Sequence, residues 1–206
     1  VFFPMEKVFP AKKKQKFFRP HWLLDFSFFL GQYLLWSGLV LWTLNYFAHY
    51  LTSIIPSSFQ EMIQSQPFFL QALEVLFLSD FLIYWGHRLS HEIPALWRFH
   101  SVHHSSEHLD WLAGERRHPV DGALMAFFVG VPLMFLGFDI VDLLWLGVFN
   151  SLWDMTIHAN LGWRLKFMRG LWVTTEYHHW HHVVDKDIRN RNYAGALPIF
   201  DWLFGT

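Results

Sequence analysis

The sequence contains no cysteine, which excludes disulfides, thiolate metal sites and cysteine-held iron–sulfur clusters. Any metal must therefore be held by nitrogen or oxygen. A strong charge of either sign is also missing: 16 Lys plus Arg stand against 17 Asp plus Glu, so nothing favours a nucleic-acid partner. There is no internal repeat, no low-complexity linker and no His-Glu-x-x-His pattern; Glu92 follows His91 without completing one. Val1 in place of an initiator Met reads as a trimmed N-terminus, and no signal peptide can be judged from it.

What the chain has in abundance is apolar and aromatic side chains. Over 206 residues, 53% are hydrophobic and 20% aromatic, more than a soluble core of this size requires. Four stretches are long and apolar enough to cross a bilayer, for which about 20 helical residues are needed: about 22–47, 67–85, 120–138 and 140–157. The last two, separated only by Gly137-Phe138-Asp139, read as a tight helical hairpin. The few carboxylates inside these stretches, among them Asp25, Asp80, Asp142 and Asp154, should face protein or a polar cavity rather than lipid.

The basic residues order the topology. Lys7, Lys12, Lys13, Lys14, Lys16 and Arg19 precede the first stretch; Arg88, Arg98, Arg116 and Arg117 follow the second; Arg164, Lys166, Arg169, Lys186, Arg189 and Arg191 follow the fourth. None lies in 48–66 or in the hairpin turn. By the positive-inside rule the chain crosses four times, with both termini cytoplasmic. The expected fold is all-α and integral to the membrane: one domain over 1–206, four transmembrane helices and a cytoplasmic helical cap.

Of the 14 His, all but His21 and His49 lie between 87 and 182. His87 and His91 are spaced i, i+4, so they share a helical face. Pro94 should end that helix and let the chain turn back. His100, His103 and His104 are spaced i, i+3, i+4, and His178, His181 and His182 repeat that pattern. Eight imidazoles exceed the four ligands of one tetrahedral zinc and suit two metal ions. His158, at the end of the fourth stretch, supplies a ninth. Nitrogen ligands fit iron, zinc, copper or nickel, and spacing does not choose among them. A zinc-dependent membrane hydrolase acting on a lipid ester or amide is the alternative enzyme reading. A metal carrier would instead place ligands within the spans.

The order His87-x-x-x-His91, His100-x-x-His103-His104, His178-x-x-His181-His182 resembles the fatty acid hydroxylase and sterol desaturase superfamily of membrane di-iron enzymes. Asp80-Phe-Leu-Ile-Tyr84-Trp-Gly-His87-Arg88, Arg117-His118-Pro119-Val-Asp121, Asn192-Tyr193 and the closing Asp201-Trp-Leu-Phe-Gly205-Thr agree with it, over roughly 77–206. The resemblance implies two iron ions on His87, His91, His100, His103, His104, His158, His178, His181 and His182, with zinc a possible substitute in purified protein. It also implies O2 as co-substrate, an external electron donor of the cytochrome b5, ferredoxin or reductase type, and hydroxylation or desaturation of a sterol, fatty acyl or related substrate. One departure is Gly162, where some fatty acid hydroxylases carry a further histidine. His118 is read either as a further ligand or as a group that orients one or lines the substrate entrance. His179, Asp80, Asp154, Asn192 and Asp187 are candidates to orient the ligands, a structural hydrogen bond being the competing reading for Asp80 and Asp154.

Overall fold

The computed structural model describes residues 2–138, 140–163 and 165–206, and the side chains of these except residues 52, 140–143, 186 and 187. Asp142 and Asp187 are among the side chains outside this description. Among the described residues the regular structure is helical, with one isolated β-bridge between Pro10 and Leu161.

A short helix α1 (Phe2–Val8) and an irregular strap lead to α2 (Trp22–Gly31), a π-helical turn (Gln32–Trp36) and α3 (Ser37–Ile54). These three run on as one rod, longer than the expected 22–47. After α4 (Ser57–Gln64), α5 (Phe68–Glu92) carries 25 residues, about 38 Å at the rise of an α-helix. Trp22–Leu51 and Phe68–Glu92 are the two described helices long and apolar enough to cross a membrane. Large apolar side chains point outward from the first, with Leu34 73% and Trp42 68% exposed. Such faces require lipid or a partner.

The remaining apolar helices are α7 (Pro119–Phe135) and α8 (Ile140–His158). At 17 residues α7 is shorter than a straight crossing needs, and Pro132 in its interior removes a backbone donor. It ends at a Gly137 with φ 94°: the Gly137 and Phe138 amides donate to the carbonyls of Met134 and Leu133, which closes the helix; Asp139 of the expected hairpin turn lies outside the described residues. Helices α5 and α7 approach closely at Gly86, where an added Cβ would lie 2.9 Å from Met125 Sδ. Val75, Leu133, Phe138 and Leu146 bury a core at the end of this bundle away from the histidines.

At the other end lie α6 (Pro94–His100), α9 (Thr175–His181), α10 (Lys186–Arg189) and α11 (Ile199–Phe204). Pro94 occupies the first turn of α6, where its missing N–H costs nothing, and Ile93 adopts the extended conformation that breaks α5. The carboxylate of Asp80, buried on α5, accepts hydrogen bonds from the amides of Ala196 and Leu197, both at 2.7 Å. Asp80 thus anchors the C-terminal loop and makes no contact with a histidine ring. Asp201 performs the parallel task for the amides of Tyr193 and Ala194.

The strap before α2 is fixed by charge. Arg19 pairs with Asp25 at 2.7 Å and, through two nitrogens, with Asp110 at 2.6 and 2.7 Å, while Arg116 also pairs with Asp25; all four residues are buried. Removing one partner of such a group leaves uncompensated buried charge, at a cost of about 3–5 kcal/mol. Asp25→Ala strands the Arg116 guanidinium and removes one of the two carboxylate partners of Arg19, and we expect a fall in the thermal unfolding midpoint of the purified protein well beyond that of the exposed control Glu107→Ala. An unchanged midpoint would contradict this account of the strap.

Candidate metal centre

Helix α5 sets His87 and His91 one turn apart on the face toward α6 and α9. The second run is not one continuous α-helix as its spacing suggested: α6 stops at His100, and His103–Ser105 form a 3₁₀ turn. The third run lies on α9, with His182 at its C-cap, and the helix starts at a Thr174 whose hydroxyl accepts from the Tyr177 amide. Neighbouring histidines within a run diverge. The rings of His103 and His104 are perpendicular at 87°, as are those of His181 and His182 at 88°. Successive residues of a helix are turned by about 100° or more, so one run can serve two sites.

Nine histidines accordingly sort into two groups. His87, His91, His100, His104 and His181 form one; His103, His158, His178 and His182 form the other; within each, one nitrogen per ring lies within 4.8 Å of all the rest. The expected ninth histidine is central to the smaller group. His158 Nε2 lies 3.0 Å from His103 Nε2, 3.0 Å from His182 Nε2 and 2.9 Å from His178 Nε2. In the larger group His181 Nε2 and His104 Nε2 are 3.1 Å apart.

The outer nitrogens explain the aim of the inner ones. Nδ1–H of His87 donates to the Tyr193 carbonyl at 2.8 Å, that of His181 to the Arg191 carbonyl at 2.8 Å, and that of His158 to the Asp154 carbonyl at 2.7 Å. A carbonyl only accepts, so each of these rings carries its proton on Nδ1 and presents the Nε2 lone pair to its group. His100 Nδ1 lies 3.1 Å from Asp121 Oδ2, and His91 Nδ1 lies 3.3 Å from Asn190 Oδ1. The Nε2 atoms of His91 and His100 are buried with no hydrogen-bond partner. Converging lone pairs and orphaned buried nitrogens are costly without a cation between them, so the donor set fits bound metal. Burial, and then the neighbouring histidines, hold His103, His104, His178, His181 and His182 well below the usual histidine range. Neutral imidazole is the form that binds metal.

Other sequence candidates fall outside both groups. His118 caps α7, its Nδ1 accepting from the Val120 amide at 3.2 Å, and its ring lies against Phe99. His179 faces away from its neighbours, with Nε2–H donating to the His158 carbonyl at 3.2 Å. Asn192, at φ 60°, donates from Nδ2 to the Tyr177 carbonyl; its left-handed backbone stands between the two carbonyls, of Arg191 and Tyr193, that hold His181 and His87. Asp154 lies beside His158 and binds Arg117 at 2.6 Å. Sequence reasoning assigned no role to Asp121 although it quoted the Arg-His-Pro-Val-Asp motif. It had no signal for the carbonyls, nor for Gly114, where any Cβ would lie 2.9 Å from the His158 ring.

Two buried histidine groups at one end of a helical chain that carries two membrane-length apolar helices define a class of metal-binding-capable helical protein. Residues 72–206 match the family model described as fatty acid hydroxylase, and the chain belongs to that family. It is 31% identical over 163 residues to an ornithine lipid hydroxylase of Rhizobium tropici, covering 79% of this chain and 46% of the relative. It is 28% identical to an alkylglycerol monooxygenase of Caenorhabditis elegans, covering 64% and 26%, and 29% identical to a methylsterol monooxygenase of Arabidopsis thaliana, covering 66% and 52%. The chain thus spans about a quarter to a half of the length of these relatives. No solved structure matches it.

Two outcomes are expected. Buried histidines such as His103, His104, His178, His181 and His182 exclude protons in the folded state, while the unfolded state takes them up below about pH 6.5, at up to about 1.4 kcal/mol per pH unit for each group. Thermal midpoints of the metal-free protein should therefore be level from pH 8.5 to 7.5 and fall steeply from 6.5 to 5; a level profile throughout would contradict neutral buried imidazoles. Asp121→Ala, which frees His100, should weaken metal binding about 10- to 100-fold by equilibrium dialysis, with Asp121→Asn losing less.

Proposed function

We propose that this chain is a membrane-embedded, O2-dependent oxidoreductase whose two histidine groups hold two iron ions and which hydroxylates or desaturates a lipid-like substrate. The observation that carries the reading is the convergence of nine imidazoles into a group of five and a group of four, with carbonyls behind His87, His158 and His181 directing their Nε2 atoms inward. His87, His91, His100, His104 and His181 would hold one ion, and His103, His158, His178 and His182 the other. Bound iron supplies the one-electron chemistry with O2 that attack on an unactivated carbon–hydrogen bond needs. The alkylglycerol, methylsterol and ornithine lipid named in the relatives' descriptions support a lipid-like substrate, whether sterol, fatty acyl or related.

Within this reading the protein's own residues orient and exclude. Asp121, Asn190 and the carbonyls of Asp154, Arg191 and Tyr193 fix ring orientation. Tyr193 is 1% exposed and packs against the rings of His87, His91 and His181, which keeps water from the larger group. The carboxylate of Asp154, 3.6 Å from His158 Nδ1, is balanced by its ion pair with Arg117 at 2.6 Å. Burial, followed by Asp154, raises the carboxyl of Glu115 to about 7, and that carboxyl receives the Tyr33 hydroxyl at 3.4 Å.

The topology belongs to the proposal. Helices α2–α3, α5, α7 and α8 form four crossings of a single domain, and the histidine groups and both termini lie on the cytoplasmic side, as the basic residues favour. Pro132 and the shortness of α7 imply that it does not cross as a straight rod. Reducing equivalents come from a separate donor of the cytochrome b5, ferredoxin or reductase type.

Metal analysis of protein from iron-replete cells, coupled to lipid profiling under labelled oxygen, tests the reading. Two irons per chain and an O2-dependent lipid product are expected; one zinc per chain with O2-independent activity would instead support the hydrolase. His103→Ala and His181→Ala should each lower metal content and abolish product, whereas His49→Ala on α3 does neither.

A further inference from the structure

The third histidine run has a second face. On the side of α9 turned away from the metal groups, Glu176, His179 and Trp180 line an open groove of about 470 Å³, walled by Pro10 of the strap and floored by Leu161 and Trp163. None of the chemistry above uses it. Yet both elements beneath it belong to the four-histidine group: α9 carries His178, with His182 at its C-cap, and the floor continues from His158. His179 links the two, being adjacent to His178 in the chain and donating to the His158 carbonyl at 3.2 Å. An electron arriving at the groove is one residue from one member of the group and one hydrogen bond from another.

The surroundings define a partner. Trp180 is 55% exposed, and with Trp163 and Val183 it gives the groove an apolar lining. The rim is basic: Lys12 and Lys13 are exposed next to Pro10, Lys166 is exposed beyond Trp163, and Arg169 meets the carboxylate of Glu176 at 2.8 Å. The chain has no cysteine for an iron–sulfur carrier of its own. A flat anionic bilayer would meet the lysines but leave a concave groove unfilled.

We propose that this groove docks an acidic one-electron carrier protein, whose negative rim meets Lys12, Lys13 and Lys166 and whose apolar edge packs on Trp180. The inference rests on the di-iron reading and adds to it the place where electrons enter. Each transfer moves one electron: the carrier's ferrous centre becomes ferric, one ferric ion of the chain becomes ferrous, and no bond forms or breaks.

The test uses the full iron-loaded chain in phosphatidylcholine nanodiscs, with the pre-reduced soluble domain of cytochrome b5 as probe and its reoxidation followed by stopped flow. The wild-type rate should fall with ionic strength; Lys12→Glu/Lys13→Glu should slow it at least tenfold at low salt, and Trp180→Ala several-fold. Iron content and reduction by dithionite should stay at wild-type values, which shows that the variants are folded. Equal rates in all three proteins overturn the docking surface, as does a wild-type protein that dithionite reduces and the carrier does not. A charge-reversal effect present only in phosphatidylserine nanodiscs makes the rim a lipid contact and overturns it too. A protein that binds no iron sinks the di-iron reading itself, and this inference with it.

Discussion

Nine imidazoles buried together without an acidic partner for most of them constrain everything around them. Each must orient one nitrogen inward and satisfy the other, in an interior that penalises every error. The carbonyls of Asp154, Arg191 and Tyr193 are the solution for three rings, and they exist only because the backbone beside them is held elsewhere. Asp201 receives the Tyr193 and Ala194 amides, Asp80 those of Ala196 and Leu197, and Asn192 takes a left-handed turn between the carbonyls of Arg191 and Tyr193. Buried carboxylates outside both histidine groups thereby set the direction of ring nitrogens within them.

The same dependence extends to the N-terminal strap, which lies outside the family match. Glu6 accepts the amides of Asn160 and Trp111, and Asn160 in turn receives the Lys12 amide at 2.8 Å. These contacts tie the loop that follows His103 and His104 to the loop that follows His158. With Arg19 and Arg116 sharing Asp25, the strap stitches the cap to the first long helix. A segment with no chemistry of its own thus contributes to the geometry of the site.

Much of this was legible in the sequence for definite reasons. The i, i+4 spacing of His87 and His91 requires one helical face; Pro94 had to interrupt the helix; and His158 followed from its place at the end of an apolar stretch. The partition of the second and third runs between two groups was not legible, because it depends on His103 and His104 pointing at right angles in a 3₁₀ turn that spacing alone reads as α-helix. Nor were the hydrogen bonds to backbone carbonyls, since every residue has one. Asp80 was ambiguous for a different cause: a carboxylate about two turns before a histidine on one helix can serve ring or loop, and only the position of Ala196 and Leu197 decides for the loop.

The account stands on two nitrogen-bound ions sharing the nine histidines. X-ray absorption at the iron edge of the loaded protein measures that most directly. It should show a first shell of light atoms with the outer-shell pattern of several imidazoles per iron, and His158→Ala should lower the imidazole count for one of the two ions only. A first shell dominated by carboxylate oxygen, or a spectrum that His158→Ala leaves unchanged, would contradict it.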